Sequence, residues 1–158
     1  MAALSAVEVE MWVAGVVGLA ATVEDIARRT ISNWLPAAAL AGGILSQVLA
    51  HGWRGLLTAL GGAVCGFVVF LIFYVLGGMG GGDVKLMAGF GAVVGLSRLF
   101  PFAFWTAVVG GIMAAGALSF AAIGARFGPN RKEKKKPVAI PYAPAIVAGV
   151  WLTLLSSQ

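Results

Sequence analysis

The chain has 158 residues, of which 60% are hydrophobic and 11% charged, with eleven Lys and Arg against six Asp and Glu. Soluble domains carry roughly 25% charged residues, so this composition excludes functions that need a large water-exposed fold and points to an integral membrane protein. The net charge of +5 is then a topology signal rather than a sign of nucleic-acid binding.

In chain order, the charges leave apolar stretches at residues 11–23, 30–53, 55–82, 86–97, 99–125 and 137–158. A span takes about 20 apolar residues, which predicts an all-α membrane protein of six transmembrane helices in a single domain over residues 1–158. The first stretch follows Glu8 and Glu10, and the first basic residue is Arg28, so it reads as a retained helix rather than a secretory leader. In such a chain the connections after the first, third and fifth helices share one side. Arg28, Arg29, Lys85, Arg126, Arg131, Lys132, Lys134, Lys135 and Lys136 fall there, and only Arg54 and Arg98 fall on the other. By the positive-inside rule the first side is cytoplasmic and both termini are outside. Residues 126–137 then form a basic cytoplasmic loop that lies against anionic lipid headgroups. Gly62 with Gly66, and Gly91 with Gly95, have the GxxxG spacing of close helix packing.

The six acids separate by depth. Glu8 and Glu10 fall at the outer end of the first helix, Glu133 lies in the basic loop, and Glu24, Asp25 and Asp83 fall at the cytoplasmic ends of helices one and four. The uncharged stretches of those two helices have 13 and 12 residues, which cover only about 20 Å of a hydrocarbon core near 30 Å. Each helix must draw its acid toward the bilayer edge, where an ionisable group needs a wet cavity or a partner and is a functional candidate. The bland reading of Asp25 is an ion pair with Arg28 or Arg29. Asp83 follows Gly77, Gly78, Met79, Gly80, Gly81 and Gly82, a run that breaks helix three and admits a close backbone. It opens helix four at the favourable end of the dipole, whereas Asp25 ends its own helix at the unfavourable end. One helical step turns a side chain by about 100°, so only one of Glu24 and Asp25 faces helix four, and spacing alone does not choose between them. Two carboxylates within a few ångströms share a proton and can activate a water while polarising a peptide carbonyl, which is aspartyl peptidase chemistry.

Gly80-Gly81-Gly82-Asp83-Val84-Lys85-Leu86 resembles the GxGD motif of intramembrane aspartyl proteases, in the GxGDxKL form of type IV prepilin peptidases and archaeal preflagellin peptidases. The segment from Asp25 to Asn33 is similar to the family's DxxxRxIPN motif, with Arg29, Ile31 and Asn33 matching and Ser32 standing where proline is usual. The segment Ile140-Pro141-Tyr142-Ala143-Pro144 is similar to the Pro-rich start of the family's last helix. The resemblance selects Asp25 over Glu24 and implies Asp25 and Asp83 as catalytic residues, with Gly80, Gly82, Lys85, Arg29 and Asn33 supporting or binding substrate. It implies no cofactor and no metal. The implied substrate is a prepilin with a short basic leader and a hydrophobic helix, cut at the cytoplasmic face of the bacterial inner membrane. With no cysteine-paired cytoplasmic region between Arg28 and Asn33, the chain looks like the short form of Flp pilus systems, without methyltransferase activity. The missing proline is expected to loosen the turn into helix two. Two other readings fit bare composition: a channel or transporter using Asp25 and Asp83 as a cation site, and an inactive pilus-assembly subunit.

Overall fold

A computed structural model describes residues 5–127 and 141–156, with side chains described at 5–120 and 141–156. The predicted basic loop at 126–137 lies outside the described residues, apart from the helical backbone at 126 and 127, as does Ile140. The described residues form helices α1 (Ala6–Arg28), α2 (Trp34–Val75), α3 (Gly81–Phe127) and α4 (Ala143–Ser156), with no strand among them. Three of the helices are long and apolar enough to cross a membrane.

Two of these helices are broken inside. Gly52 in α2 has φ 58° and ψ −133°, and Gly95 in α3 has φ 70° and ψ 170°, conformations open to glycine because it lacks a Cβ. The residue contacts show that both breaks reverse the chain. Along the α3 arm 81–94, Gly89 packs on Pro36 and Ala39, and Val93 packs on Gly43, so contacts with the first α2 arm rise together. Contacts with the second α2 arm run oppositely: Gly62 meets Gly91, and Gly66 meets Met87. Beyond Gly95 the order turns again, because Gly61 meets Leu96 and Gly66 meets Leu99. Helix α4 runs back along this last arm, Tyr142 against Gly110 and Gly149 against Thr106. It also runs antiparallel to α1, with Val147 on Gly18 and Trp151 on Gly15. The result is six alternating helical arms, and the cuts predicted from Arg54 and Arg98 fall two and three residues after the breaks.

The arm 81–94 lies at the centre. Val84, Leu86, Met87, Phe90, Val93 and Val94 are buried and form one core with Leu35, Phe70, Phe102 and Ile146, while the buried Ala92 packs with Ala59 and Ala63. Small residues let backbones close on this arm: a methyl at Gly62 would collide with the Gly91 carbonyl, and one at Gly91 with the Gly62 carbonyl. Gly62, Gly66, Gly91 and Gly95 thus act as the GxxxG spacing predicts, since a methyl at Gly62 would also meet the Gly95 backbone, and Gly95 in addition breaks the helix. The outer faces carry exposed apolar side chains such as Leu19, Phe100 and Phe120, a surface suited to hydrocarbon rather than water.

At the end remote from Asp25, the break at Gly95 leaves the carbonyls of Val93 and Val94 without helical partners. Gln47 Nε2 donates to Val93 O at 2.9 Å, and Arg98 Nε donates to Val94 O at 2.9 Å. The Glu10 carboxylate binds both donors, with Arg98 at 2.6 Å and Gln47 at 3.2 Å. The sequence reading of Glu10 as an ordinary edge residue is therefore corrected. Its side chain is 7% exposed and ties α1 to both broken helices. Glu8 does behave as an end residue, forming a reciprocal capping box with Ser5. Glu10→Ala strips the carboxylate from a partly buried guanidinium and from the Gln47 amide, a change that costs about 2 kcal/mol. It should lower the thermal unfolding midpoint of the detergent-solubilised protein, and the double variant with Arg98→Leu should recover part of the loss. An unchanged midpoint would show that the pair contributes nothing.

Candidate active site

The short connections at the opposite end bring the rare polar groups together. Helix α1 closes with Arg29 in the left-handed region at φ 53°, its N–H donating to Asp25 O at 2.9 Å. A non-glycine residue in this conformation is strained, and such strain is concentrated at functional sites. The chain then passes through Thr30, Ile31 and Ser32 to Asn33, which starts α2. On the other side, α2 ends at Val75, Gly77 turns at φ 76°, and α3 starts at Gly81. Asp83 is the third residue of α3, and its Oδ2 accepts from Gly80 N at 3.2 Å, a reach-back that caps the helix start.

These two connections enclose a cavity of about 290 Å³. Its lining includes Asp25, Asp83, Gly80, Gly82, Lys85, Arg29 and Asn33, so every residue singled out in the sequence reaches one space; Gly81, Thr30 and Ile31 also line it. Thr30 had no signal of its own in the sequence beyond lying between matched positions, and Ile31 matched the motif without being given a role. Asp25 and Asp83 are 6% and 7% exposed. Asp25 makes no ion pair with Arg28 or Arg29, so the bland reading is not realised. Its Oδ2 instead accepts from Ala143 N at 2.9 Å, across 118 residues of sequence. Asp25 therefore ends α1 but faces the N-terminus of α4, and Asp83 sits at the N-terminus of α3. The dipole contrast predicted between them is corrected, because each carboxylate meets the positive end of a helix. Asp83 Oδ1 is buried and has no hydrogen-bond partner among the described residues, which leaves an acceptor beside the cavity.

Glu24 points away from the cavity and grips the connection instead. Its Oε2 accepts from Ser32 N at 2.8 Å and its Oε1 from Ser32 Oγ at 3.0 Å. The turn expected to loosen without proline is thus pinned by two bonds, of which proline could supply neither. This clasp sits between Ile31, which packs on Gly82, and Asn33, whose Oδ1 accepts from Lys85 Nζ at 2.8 Å. Asn33 makes no side-chain cap to α2; its oxygen is committed to Lys85.

The model of the type IV leader peptidase family matches residues 12–115, and the chain belongs to that family. A prepilin leader peptidase/N-methyltransferase of Bacillus subtilis (strain 168) is 34% identical over 96 residues, which are 60% of this chain and 34% of that protein. The chain thus aligns to about a third of the length of that relative. No solved structure matches the chain.

The clasp is testable without any assay of activity. A Cβ at Gly82 would lie 3.1 Å from Ile31 Cβ, near the range from which a disulfide forms. In a Cys65→Ser background, the pair Ile31→Cys and Gly82→Cys should cross-link readily, and Glu24→Ala should slow this about tenfold by releasing the loop. Ser32→Pro stiffens the chain without using Glu24, so in that background Glu24→Ala should have little effect. Equal slowing in both backgrounds would mean that Glu24 acts elsewhere.

Proposed function

We propose that this member of the type IV leader peptidase family is an aspartic endopeptidase that removes the short basic leader of Flp-type prepilins for pilus assembly. The cut falls at the cytoplasmic face of the bacterial inner membrane, just before the prepilin's hydrophobic helix. In this reading the six arms are six spans with both termini outside. The ends carrying Asp25 and Asp83 then face the cytoplasm, as Arg28, Arg29 and Lys85 at that end favour. The observation that carries the proposal is the meeting of Asp25 and Asp83, from the first and third helices, in one small cavity beside a glycine turn.

The chemistry follows from that meeting. The two carboxylates share one proton. The ionised member takes a proton from a water, whose oxygen attacks the scissile carbonyl carbon, while the protonated member donates to the carbonyl oxygen. The tetrahedral intermediate then collapses, the C–N bond breaks, and the leaving amine takes up a proton. Asp83 Oδ1, with no partner among the described residues, suits contact with the water, and the bond from Ala143 holds Asp25 in place. The turn at Gly77 to Gly82 carries side chains only at Met79, so an unwound substrate backbone can approach it closely. Lys85, oriented by Asn33, and Arg29 supply positive charge at the rim. Methyl transfer is not part of the proposal: residues 29–33 lead straight from α1 to α2, and the single cysteine, Cys65, lies within α2.

Co-expression with Flp-type prepilins tests the reading, with leader removal followed by mass. The wild type should yield mature pilin, and Asp25→Ala, Asp83→Ala and Asp83→Asn should each slow cleavage by about 100-fold or more. Uncleaved prepilin with the wild type would remove the proposed activity. Cleavage that survives these substitutions would remove the proposed chemistry.

A further inference from the structure

A second cavity of about 370 Å³ lies beside the first, between the second arms of α2 and α3. Its walls are apolar, with Phe70, Phe73 and Met79 prominent, and Tyr142 and Gly111 at its edges. The two cavities adjoin at two places. Met79 lines the apolar one and Gly80 the polar one. Tyr142 lines the apolar one, and the next residue, Ala143, binds Asp25. Thr106 also borders it, with its hydroxyl packed against Gly149 of α4.

From these observations we infer that the apolar cavity is a specificity pocket for the substrate residues on the apolar side of the scissile bond. The inference rests on the peptidase reading. The first side chains of the substrate's apolar segment then settle between α2 and α3. Bulk and hydrophobicity at those residues then contribute to selection, separately from the charges at the rim of the polar cavity.

Gly111 provides the test, since a Cβ there meets nothing within 4 Å and a larger side chain can occupy the cavity without a backbone clash. Two prepilin peptides are compared on the full-length protein in liposomes, identical except for Leu or Ala at the residues following the cut. Gly111→Leu is expected to lower kcat/KM about tenfold for the Leu peptide, chiefly through KM, and less than about twofold for the Ala peptide. Equal effects of Gly111→Leu on the two peptides, or displacement of a bound lipid with unchanged discrimination, would overturn the pocket assignment. A benzophenone at the first residue after the cut separates this outcome from failure of the peptidase reading. It should label residues 69–73 or 103–111 even in Asp83→Asn, and labelling elsewhere counts against the pocket whether or not cleavage occurs.

Discussion

A carboxylate buried in an apolar helix bundle must find hydrogen-bond donors or it will not stay there. Asp25 meets this requirement through the Ala143 N–H at the start of α4, and the rest of the bundle is arranged around that bond. It closes the first helix on the last and fixes the depth of Asp25. It also places one carboxylate against a helix N-terminus that its own helix does not supply. Asp83 has the equivalent position within its own helix, through Gly80 N. Two carboxyl groups that are expensive to bury in this solvent are thus held by backbone groups that helix starts leave unpaired.

The central arm 81–94 connects the two ends of the molecule. At one end it begins with Asp83, and at the other its last carbonyls are taken by Gln47 and Arg98. Between them it is clamped at Gly43, Gly62 and Gly89, where backbones approach too closely for a side chain. A rigid central arm with both ends satisfied keeps Asp83 in register with Asp25. The breaks that leave carbonyls open and the polar groups that close them form one device.

Much of this was legible because charge is scarce. In an apolar chain every acid stands out, and Asp25 and Asp83 were found from their depth, the glycine run and the family motifs. The six helical arms were legible only indirectly, since Arg54 and Arg98 follow the breaks closely while Gly52 and Gly95 look like any other glycine. What escaped was tertiary. Glu10 meets Arg98 across 88 residues, and nothing local distinguishes it from Glu8. The donor to Asp25 is a main-chain N–H, which has no side-chain signature. The Glu24 clasp was hidden because the missing proline at Ser32 was read as a loss, when the serine supplies two donors that proline lacks.

The Glu10–Arg98 pair also affects how the chain enters a bilayer. Insertion responds to the positive charge that has to be carried across, and of the two basic residues assigned to the Glu10 end, Arg98 is neutralised within the fold while Arg54 is left to weigh on that side. If the Glu10 end is the translocated one, as proposed, and the two helices carrying Glu10 and Arg98 associate during insertion, that end becomes nearly neutral. An ion pair that satisfies a broken helix in the finished protein would then also sharpen the charge contrast that orients it.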